Sequence, residues 1–276
     1  MNVCQIPGKL FLIGEYGVIE GGDALVAAIR PGFTYYPAVK FNAHPESPLG
    51  RYNTHFGSDA AVDLNRLDSL NPGFGTSTAE LIAALWLQSG MLPQGPALWS
   101  WYKETFPRTS GADLLAQIEA LRTGKALFQV AAGGKVKALP ESELFSQILV
   151  FQTDVSEKLP THEALAATRP KVPVEVTNNL SRKLQAGFLL GDERSLKALG
   201  EFAELMNSLG LETEHAKKVR LAFQKNPSVI SAKGCGAGLH DVFLVAVYRQ
   251  LMLNPILDIA REHRLHFLGS LKERMW

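Results

Sequence analysis

The sequence has 276 residues, 46% of them hydrophobic and 20% charged, so the chain can bury the core of one large domain or of two packed lobes. Its 28 basic and 27 acidic residues nearly cancel, so nothing in the composition indicates the strongly basic face of a nucleic-acid-binding protein. Two cysteines, Cys4 and Cys235, are too few for a disulfide framework, and no apolar run reaches the ~20 residues of a membrane helix.

Hydrophobic patterning predicts a mixed order of strands and helices. Strands are predicted near residues 9–13, 24–29, 126–131, 147–152 and 242–247. Helices are predicted near residues 76–88, 112–122, 172–190, 194–208 and 213–224. The stretch 38–70 is rich in Pro, Asn, His and Ser and is predicted to be a surface excursion or a short hairpin. Strands early in the chain and helices concentrated late favour an α+β fold over an alternating parallel sheet.

The first segment with a chemical signal runs Pro7-Gly-Lys-Leu-Phe-Leu-Ile-Gly-Glu-Tyr-Gly17. An apolar run of strand type ends there in a glycine turn, and a second turn follows at Gly21-Gly22. Met1-Asn-Val-Cys-Gln-Ile leads directly into this segment without a basic and then apolar signal sequence. We therefore expect a cytoplasmic protein.

The second segment runs Asn71-Pro-Gly-Phe-Gly-Thr-Ser-Thr-Ala79, where a Gly-x-Gly turn enters a predicted helix. Thr76, Ser77 and Thr78 are predicted to cap this helix with their hydroxyl groups. Free N–H groups and the positive end of the helix dipole suit a phosphate. An ordinary capped helix after a turn has the same pattern, so the segment alone leaves both interpretations open.

The third segment runs Ser231-Ala-Lys-Gly-Cys-Gly-Ala-Gly-Leu-His-Asp241 and precedes the apolar run 242–247. Glycines at this spacing let backbone N–H groups approach an anion, which makes the segment a candidate phosphate-binding loop. A simple glycine turn entering a strand is the alternative. A further acidic residue, Asp113, follows Thr109-Ser-Gly-Ala at the start of a predicted helix, where the helix dipole alone also favours a carboxylate.

Taken together and in this order, the three segments resemble the motifs of the GHMP kinase superfamily, which includes galactokinase, homoserine kinase, mevalonate kinase and phosphomevalonate kinase. The resemblance spans residues 7 to 247, nearly the whole chain. It implies a two-lobed α+β fold, with a ribosomal S5 domain 2-like N-terminal lobe over residues 1–142 and a ferredoxin-like C-terminal lobe over residues 143–276. The active site would lie between these lobes, and ATP and Mg²⁺ would be the cofactors.

The resemblance also assigns the catalytic residues. Lys9 corresponds to a lysine beside the transferring phosphate, where a cation stabilises developing charge. Asp113 corresponds to the base, or to the carboxylate that orients the attacking oxygen. The residues implied for the nucleotide phosphates are Gly73, Gly75, Thr76, Ser77, Thr78, Gly234, Gly236, Ala237 and Gly238.

The metal ligands follow less directly. The hydroxyl ligand of Mg²⁺ is expected to be Thr76 or Ser77. Relatives often place a glutamate about three helical turns before the aspartate, but this chain has Tyr102 at that point. Glu104 is the expected substitute, and Glu80 is the alternative.

Phosphomevalonate is the favoured acceptor, because Tyr16 replaces the histidine usual in mevalonate kinases and because Asp241 matches the end of the third motif in phosphomevalonate kinases. Mevalonate kinase, or a non-catalytic nucleotide-binding relative, are the alternatives; the oligomeric state stays open, with a homodimer as one option. The partner is a small-molecule alcohol or phosphate acceptor, with no nucleic acid and no membrane. The residues expected at the acceptor are Glu15, Tyr16, Arg108, Ser110, Lys158 and Thr161.

Overall fold

The computed structural model describes residues 3–38, 43–65, 74–153, 171–236, 241–249 and 253–276. The chain divides into two compact units. The first unit comprises the described residues of Met1–Leu10 and Val26–Leu139, together with Trp276. The second unit comprises Phe11–Leu25 and the described residues of Pro140–Met275. Each unit is therefore built from separated stretches of the chain.

The first unit contains a sheet with helices. Its strands are β1 (Cys4–Ile13), β2 (Ala24–Pro37), β3 (Val62–Asn65), β4 (Leu127–Val130) and β5 (Val136–Leu139), of which β1 and β2 run on into the second unit. Its helices are α1 (Pro48–Phe56), α2 (Thr76–Ser89), α3 (Gly95–Thr105) and α4 (Ala112–Thr123). The strand order is β1-β2-β4-β5, and β3 pairs antiparallel with β2. Helix α4 buries most of its side chains, including Leu114, Leu115 and Ile118, against this unit's core.

The second unit has a sheet of its own. Its strands are β6 (Ile148–Thr153), β7 (Val229–Cys235), β8 (Val242–Val247) and β9 (Leu265–Ser270). Its helices are α5 (Val174–Leu190), α6 (Lys197–Ser208), α7 (Glu214–Gln224), α8 (Leu253–Glu262) and α9 (Leu271–Arg274). The strand order is β7-β8-β6-β9, with every pairing antiparallel. Strand β8 pairs on both edges and is buried along its whole length, which explains its unbroken apolar sequence.

Most predicted elements are present within a few residues of their expected bounds. The predicted strand over 242–247 matches β8, and the predicted helices over 76–88 and 112–122 match α2 and α4. The helix predicted over 194–208 is divided into a 3-10 helix, Glu193–Leu196, and α6. With 47% of residues helical and 26% in strands, the predicted α+β class is confirmed.

Two predictions of local structure are wrong. The stretch 38–70, predicted to be a surface excursion or a short hairpin, contains α1 and β3. Helix α1 begins because Ser47 Oγ accepts a hydrogen bond from the Gly50 N–H at 3.1 Å and because Pro48 occupies its first turn. The third motif, predicted to be a loop, begins as strand β7, which pairs with β8 from Val229 to Cys235.

The lobe boundary predicted between residues 142 and 143 remains a prediction about functional domains. The compact units meet along the chain between Leu139 and Pro140. Across the described ranges, the structure contains no helix that is both long enough and apolar enough to cross a membrane.

Candidate active site

Lys9 and the turn before α2 lie together in the first unit. The Lys9 N–H donates a hydrogen bond to the Phe74 carbonyl oxygen at 2.8 Å. Gly75 has a φ of 87°, and a Cβ atom added there would lie 2.8 Å from Lys9 Cγ and 3.2 Å from Lys9 Cε. The turn therefore requires glycine both for its left-handed backbone and for the room that the Lys9 side chain occupies. The structure thus brings the lysine of the first motif to the glycine turn of the second motif.

The start of α2 differs from the prediction of hydroxyl caps. Gly75 is the N-cap residue, and no side chain of the described ranges makes a capping hydrogen bond there. Ser77 is exposed, whereas the Thr78 hydroxyl is buried and donates to Gln117 Oε1 at 2.6 Å. The Thr76 hydroxyl oxygen is also buried and has no hydrogen-bond partner among the described residues. Without a side-chain cap, the positive end of the α2 dipole is available to an anion.

Gln117 of α4 connects this turn to β1. Its side chain is fully buried. Its Nε2 donates to the Pro7 carbonyl oxygen at 2.8 Å and to the Gly75 carbonyl oxygen at 3.2 Å. The sequence analysis did not single out Gln117; the only signal was an amide within the predicted apolar helix 112–122.

Asp113 lies in the first turn of α4 and is half-buried. The helix starts at Gly111, the N-cap residue, whose φ is 65°. Asp113 and Gln117 are four residues apart on α4 and share one face of the helix, with Asp113 one turn nearer the N-terminus. Because Gln117 contacts Pro7 and Gly75, the face that carries Asp113 is the face that α4 turns toward the Lys9 segment.

The phenol of Tyr102 lies near Asp113. Burial raises the pKa of Tyr102 well above its usual range, and the negative charge of Asp113 raises it further. Tyr102 therefore stays protonated beside the carboxylate at all physiological pH values. This residue stands where the family pattern has a glutamate, so the structure supplies a neutral hydroxyl there instead.

Two side chains of α3 hold the loop that precedes Asp113. Trp99 Nε1 donates to the Ser110 carbonyl oxygen at 3.3 Å. Lys103 Nζ donates to the Pro107 carbonyl oxygen at 3.3 Å and also to that of Thr109. Burial lowers the pKa of Lys103. Neither Trp99 nor Lys103 was predicted as a functional residue, because only the tertiary structure shows that their side chains reach this loop.

The same loop contains the predicted acceptor residues of the first unit. Ser110 accepts a hydrogen bond from the Ala112 N–H through its Oγ at 3.1 Å, and Arg108 is exposed. The predicted metal ligand Glu104 is exposed on α3, about 200° around the helix from Tyr102. Glu104 therefore points away from the face that reaches Asp113, and the structure does not bring it to the other candidate residues of this unit.

Glu80 is placed differently. It is four residues after Thr76 on α2, so its side chain lies on the same face and leans back toward that hydroxyl. Burial raises the pKa of Glu80, and its charge contributes to the raised pKa of Tyr35. The Tyr35 hydroxyl donates to the Thr76 carbonyl oxygen at 3.2 Å. Glu80 and the start of α2 therefore share one neighbourhood.

In the second unit, Glu15 forms a buried ion pair with Lys233 of β7. Lys233 Nζ also donates to the Phe11 carbonyl oxygen at 3.1 Å and lies 5.2 Å from the centre of the Phe202 ring. Burial lowers the pKa of Lys233, but Cys235 and Glu15 together raise it above its usual range. Lys233 belongs to the third motif, but the sequence alone predicted no role for it. Glu15 and Tyr16 are both buried, and their predicted contact to the acceptor remains a prediction.

Gly236 directly follows β7 and has a left-handed conformation, with a φ of 93°. A Cβ atom there would lie 2.3 Å from Asp241 Oδ2, and the Asp241 N–H donates to the Cys235 carbonyl oxygen at 3.1 Å. The close approach of Asp241 therefore explains the need for glycine at this position without any phosphate. Gly234 lies within β7, so it is a strand residue and not a loop residue.

Five of the predicted site residues lie outside the described residues: Gly73, Lys158, Thr161, Ala237 and Gly238. Within the described ranges, no group of three or more His, Cys, Asp or Glu side chains is placed to hold a metal ion. Mg²⁺ commonly uses only one or two protein carboxylates together with phosphate oxygens, so such a group is not a requirement for it.

Comparison with known proteins identifies the fold. No family model matches the sequence, and no characterised protein matches it by sequence. Phosphomevalonate kinase from Streptococcus pneumoniae, in complex with phosphomevalonate and AMPPNP, is similar in structure with a TM-score of 0.73, 14% identity and coverage of 100% of both chains. A Lin0012 protein from Listeria innocua gives a TM-score of 0.72 at 13% identity over 97% of this chain and 96% of that chain.

Mevalonate kinase from Methanococcus jannaschii gives a TM-score of 0.61 at 14% identity over 100% of this chain and 98% of that chain. The two named kinases belong to the GHMP superfamily, the family that the three sequence motifs resemble. The predicted fold is therefore confirmed: this chain has the fold of the GHMP kinases over essentially its whole length.

Proposed function

We propose that this protein is an ATP- and Mg²⁺-dependent kinase that phosphorylates a small-molecule alcohol or phosphate acceptor, with phosphomevalonate the preferred acceptor. One observation carries the proposal. The Lys9 side chain lies across the Gly75 turn at the uncapped start of α2, and Gln117 ties that turn to the helix that carries Asp113. The Lys9 cation, the N-terminus of α2 and the helix that carries the Asp113 carboxylate thus lie in one compact unit.

Lys9 and the start of α2 act on the phosphates. The first N–H groups of α2 and its dipole favour an anion, and the Lys9 ammonium adds a positive charge beside them. Phosphoryl transfer spreads negative charge over the moving phosphoryl group, so donors already fixed in place stabilise the transition state. Gly75 keeps the Lys9 side chain against the turn because it leaves room for its methylene groups.

Asp113 acts on the acceptor. With a hydroxyl acceptor such as mevalonate, the carboxylate accepts the proton as the oxygen attacks. With a phosphate acceptor the attacking oxygen carries no proton that must be removed, and Asp113 orients the acceptor instead. The loop held by Trp99 and Lys103 positions Asp113 and the exposed Arg108, whose charge suits an anionic acceptor.

Mg²⁺ fits residues at the start of α2. The Thr76 hydroxyl is buried without a hydrogen-bond partner among the described residues, and Glu80 follows one turn later on the same face. Together they offer the hydroxyl and carboxylate oxygens that Mg²⁺ accepts alongside phosphate oxygens. When bound, the ion neutralises charge on the nucleotide phosphates. We propose Thr76 and Glu80 in place of the exposed Ser77 and Glu104.

The choice of phosphomevalonate is supported by Tyr16 in the first motif and Asp241 after the third, as well as by the similarity to the Streptococcus pneumoniae phosphomevalonate kinase. At 14% identity this similarity does not decide between phosphomevalonate and mevalonate. Measurement of ADP release from Mg-ATP tests the proposal, with mevalonate, phosphomevalonate, galactose and homoserine compared in parallel. Turnover with one acceptor that disappears in Asp113→Asn is the expected result.

If ADP is released with none of the four acceptors but ATP binding is intact, the result would favour a non-catalytic nucleotide-binding relative or a different acceptor. Loss of ATP binding in a folded protein would contradict the proposal altogether. Binding of a fluorescent ATP analogue, measured on the same preparation, separates these two outcomes.

A further inference from the structure

Gln117 is a fully buried amide whose hydrogen bonds connect three segments of the first unit. Its Nε2 donates to Pro7 O and Gly75 O, and its Oε1 accepts from the Thr78 hydroxyl. Burial of an amide costs free energy unless its hydrogen bonds are made, whereas a methionine of similar size would fill the same space in an apolar core without that requirement. The glutamine at position 117 is therefore explained by its hydrogen bonds and not by its size.

The three partners of Gln117 belong to the segments that carry the proposed chemistry. Pro7 is two residues before Lys9 on β1, while Gly75 and Thr78 form the first turn of α2. Gln117 itself is one turn after Asp113 on α4. A movement of any of these segments relative to the other two breaks at least one of the hydrogen bonds of Gln117. In a buried site of low dielectric constant, such a broken bond is costly.

We infer that Gln117 is a positioning residue, which fixes Asp113 in relation to Lys9 and to the phosphate-binding start of α2. The inference rests on the proposed kinase function and adds a residue that the motifs do not contain. Gln117 acts through the backbone: one amide group holds β1 by Pro7 O and holds the left-handed Gly75 turn by its carbonyl oxygen. The spacing of the α4 backbone from the backbones of β1 and of the Gly75 turn is then held by one side chain.

The test compares Gln117→Met with Gln147→Met. Gln147 is also a buried glutamine, but it belongs to the second unit and contacts Val247 and Arg249. Both variants lose a buried amide, so both should be less stable than the wild type. We expect Gln117→Met to lower kcat by about 100-fold, since displacement of reacting groups by about 1 Å has an effect of this size. The KM for the acceptor should stay within about threefold of wild type, and Gln147→Met should leave kcat unchanged.

A kcat for folded Gln117→Met within about threefold of wild type overturns the inference, and so does an equal loss of kcat in Gln147→Met. If Gln117→Met does not fold, Thr78→Val removes the hydroxyl that has Gln117 Oε1 and Gly75 O as its partners, and it should lower kcat in the same direction by a smaller factor. A Thr78→Val protein with unchanged kcat would then overturn it.

Hydrogen exchange separates this inference from the proposed function. The Lys9 N–H donates to Phe74 O, and the Ala79 N–H donates to Gly75 O at 3.0 Å, so both amides report on the turn. If the wild type turns over none of the acceptors, the kinase proposal fails, but Gln117→Met should still speed the exchange of these two amides relative to the rest of the unit. Unchanged exchange at both positions overturns the positioning role whether or not the protein is a kinase.

Discussion

Lys233 and Glu15 form an ion pair that is almost completely withdrawn from water, although 218 residues separate them in sequence. Lys233 is fully buried, and the Glu15 side chain is 7% exposed. The ammonium also donates to Phe11 O, while Glu15 Oε2 has no partner among the described residues. This pair ties the turn after β1 to strand β7 within the second unit.

Replacement of one partner should leave the other charge buried and uncompensated. We expect Lys233→Met to lower the free energy of unfolding by about 3–5 kcal/mol. The control is Lys183→Met, which removes the lysine of the half-exposed pair with Glu201 and should cost about 1 kcal/mol or less. Urea unfolding at neutral pH measures both. Equal losses in the two variants would show that the Lys233 pair has no special importance.

The pH dependence of stability should carry the signature of Lys233. Because the folded protein raises the pKa of Lys233, the folded state holds the proton more tightly than the unfolded state does. This contribution is complete below the unfolded pKa of about 10.4 and is lost as the pH rises through the folded value. Above about pH 10.4, the stability of the wild type should therefore fall more steeply than that of Lys233→Met. Parallel slopes would contradict the assignment.

Asp113→Asn should abolish most turnover and leave the fold intact. The substitution keeps the size of the side chain but removes the negative charge and most of its basicity. General-base catalysis typically contributes about 10²–10⁴-fold, so a loss of kcat in this range is expected with a hydroxyl acceptor. Affinity for a fluorescent ATP analogue should be nearly unchanged. Undiminished turnover would refute the role assigned to Asp113.

Gly75→Ala should lower the affinity for the nucleotide, in addition to the loss of stability that its backbone strain causes. Gly75 and Gly90 flank the two ends of α2, and both have left-handed backbones, with φ of 87° and 72°. A Cβ atom at Gly90 meets nothing within 4 Å, whereas one at Gly75 meets the Lys9 side chain. Both alanine variants should lose about 1–2 kcal/mol of stability from backbone strain. Only Gly75→Ala should also lower ATP affinity, as titration with the analogue would show.

Lys103→Met should affect the acceptor more than the nucleotide. The Lys103 ammonium holds the carbonyl oxygens of Pro107 and Thr109, and the loop between them contains Arg108. We expect a rise of about tenfold in the KM for the acceptor, with ATP affinity unchanged, because the loop loses two charge-assisted hydrogen bonds. Lys125→Met, an exposed lysine of the same unit, is the control. A rise in the KM for ATP instead would place Lys103 at the nucleotide.

Elements with strong local signals could be predicted from the sequence. The apolar run of β8, and the glycine turns at the start of α2 and α4, fixed those elements within about two residues of their observed bounds. Helix α3 was not predicted, although the Pro96 in its first turn is favoured at that position. Strand β7 was missed because Gly234 and the glycines that follow the strand suggested a loop, while pairing with β8 outweighs that local tendency.

Only those residues of the candidate site that lie in short sequence motifs could be predicted. Lys9, Gly75 and Asp113 stand in short patterns that predict phosphate chemistry. Gln117 and Lys103 do not, because each is defined by carbonyl oxygens that come near it only after folding. The family resemblance also gave Glu104 as a nearby substitute for the metal ligand, whereas the helical period places it on the exposed face of α3.

The second unit is built from two segments that are far apart in the chain, and this has a consequence for its synthesis in the cell. Phe11–Leu25 belongs to that unit, but its partners in β7 lie more than two hundred residues later in the chain. At ribosomal speeds of about 5–20 residues per second, Glu15 waits about 10 to 40 seconds before Lys233 has been made. During this interval Glu15 lacks its ion-pair partner, although β1 can already pair with β2. The second unit is therefore complete only after β7 has been synthesised, and residues 140–276 expressed alone should not reach the native second unit.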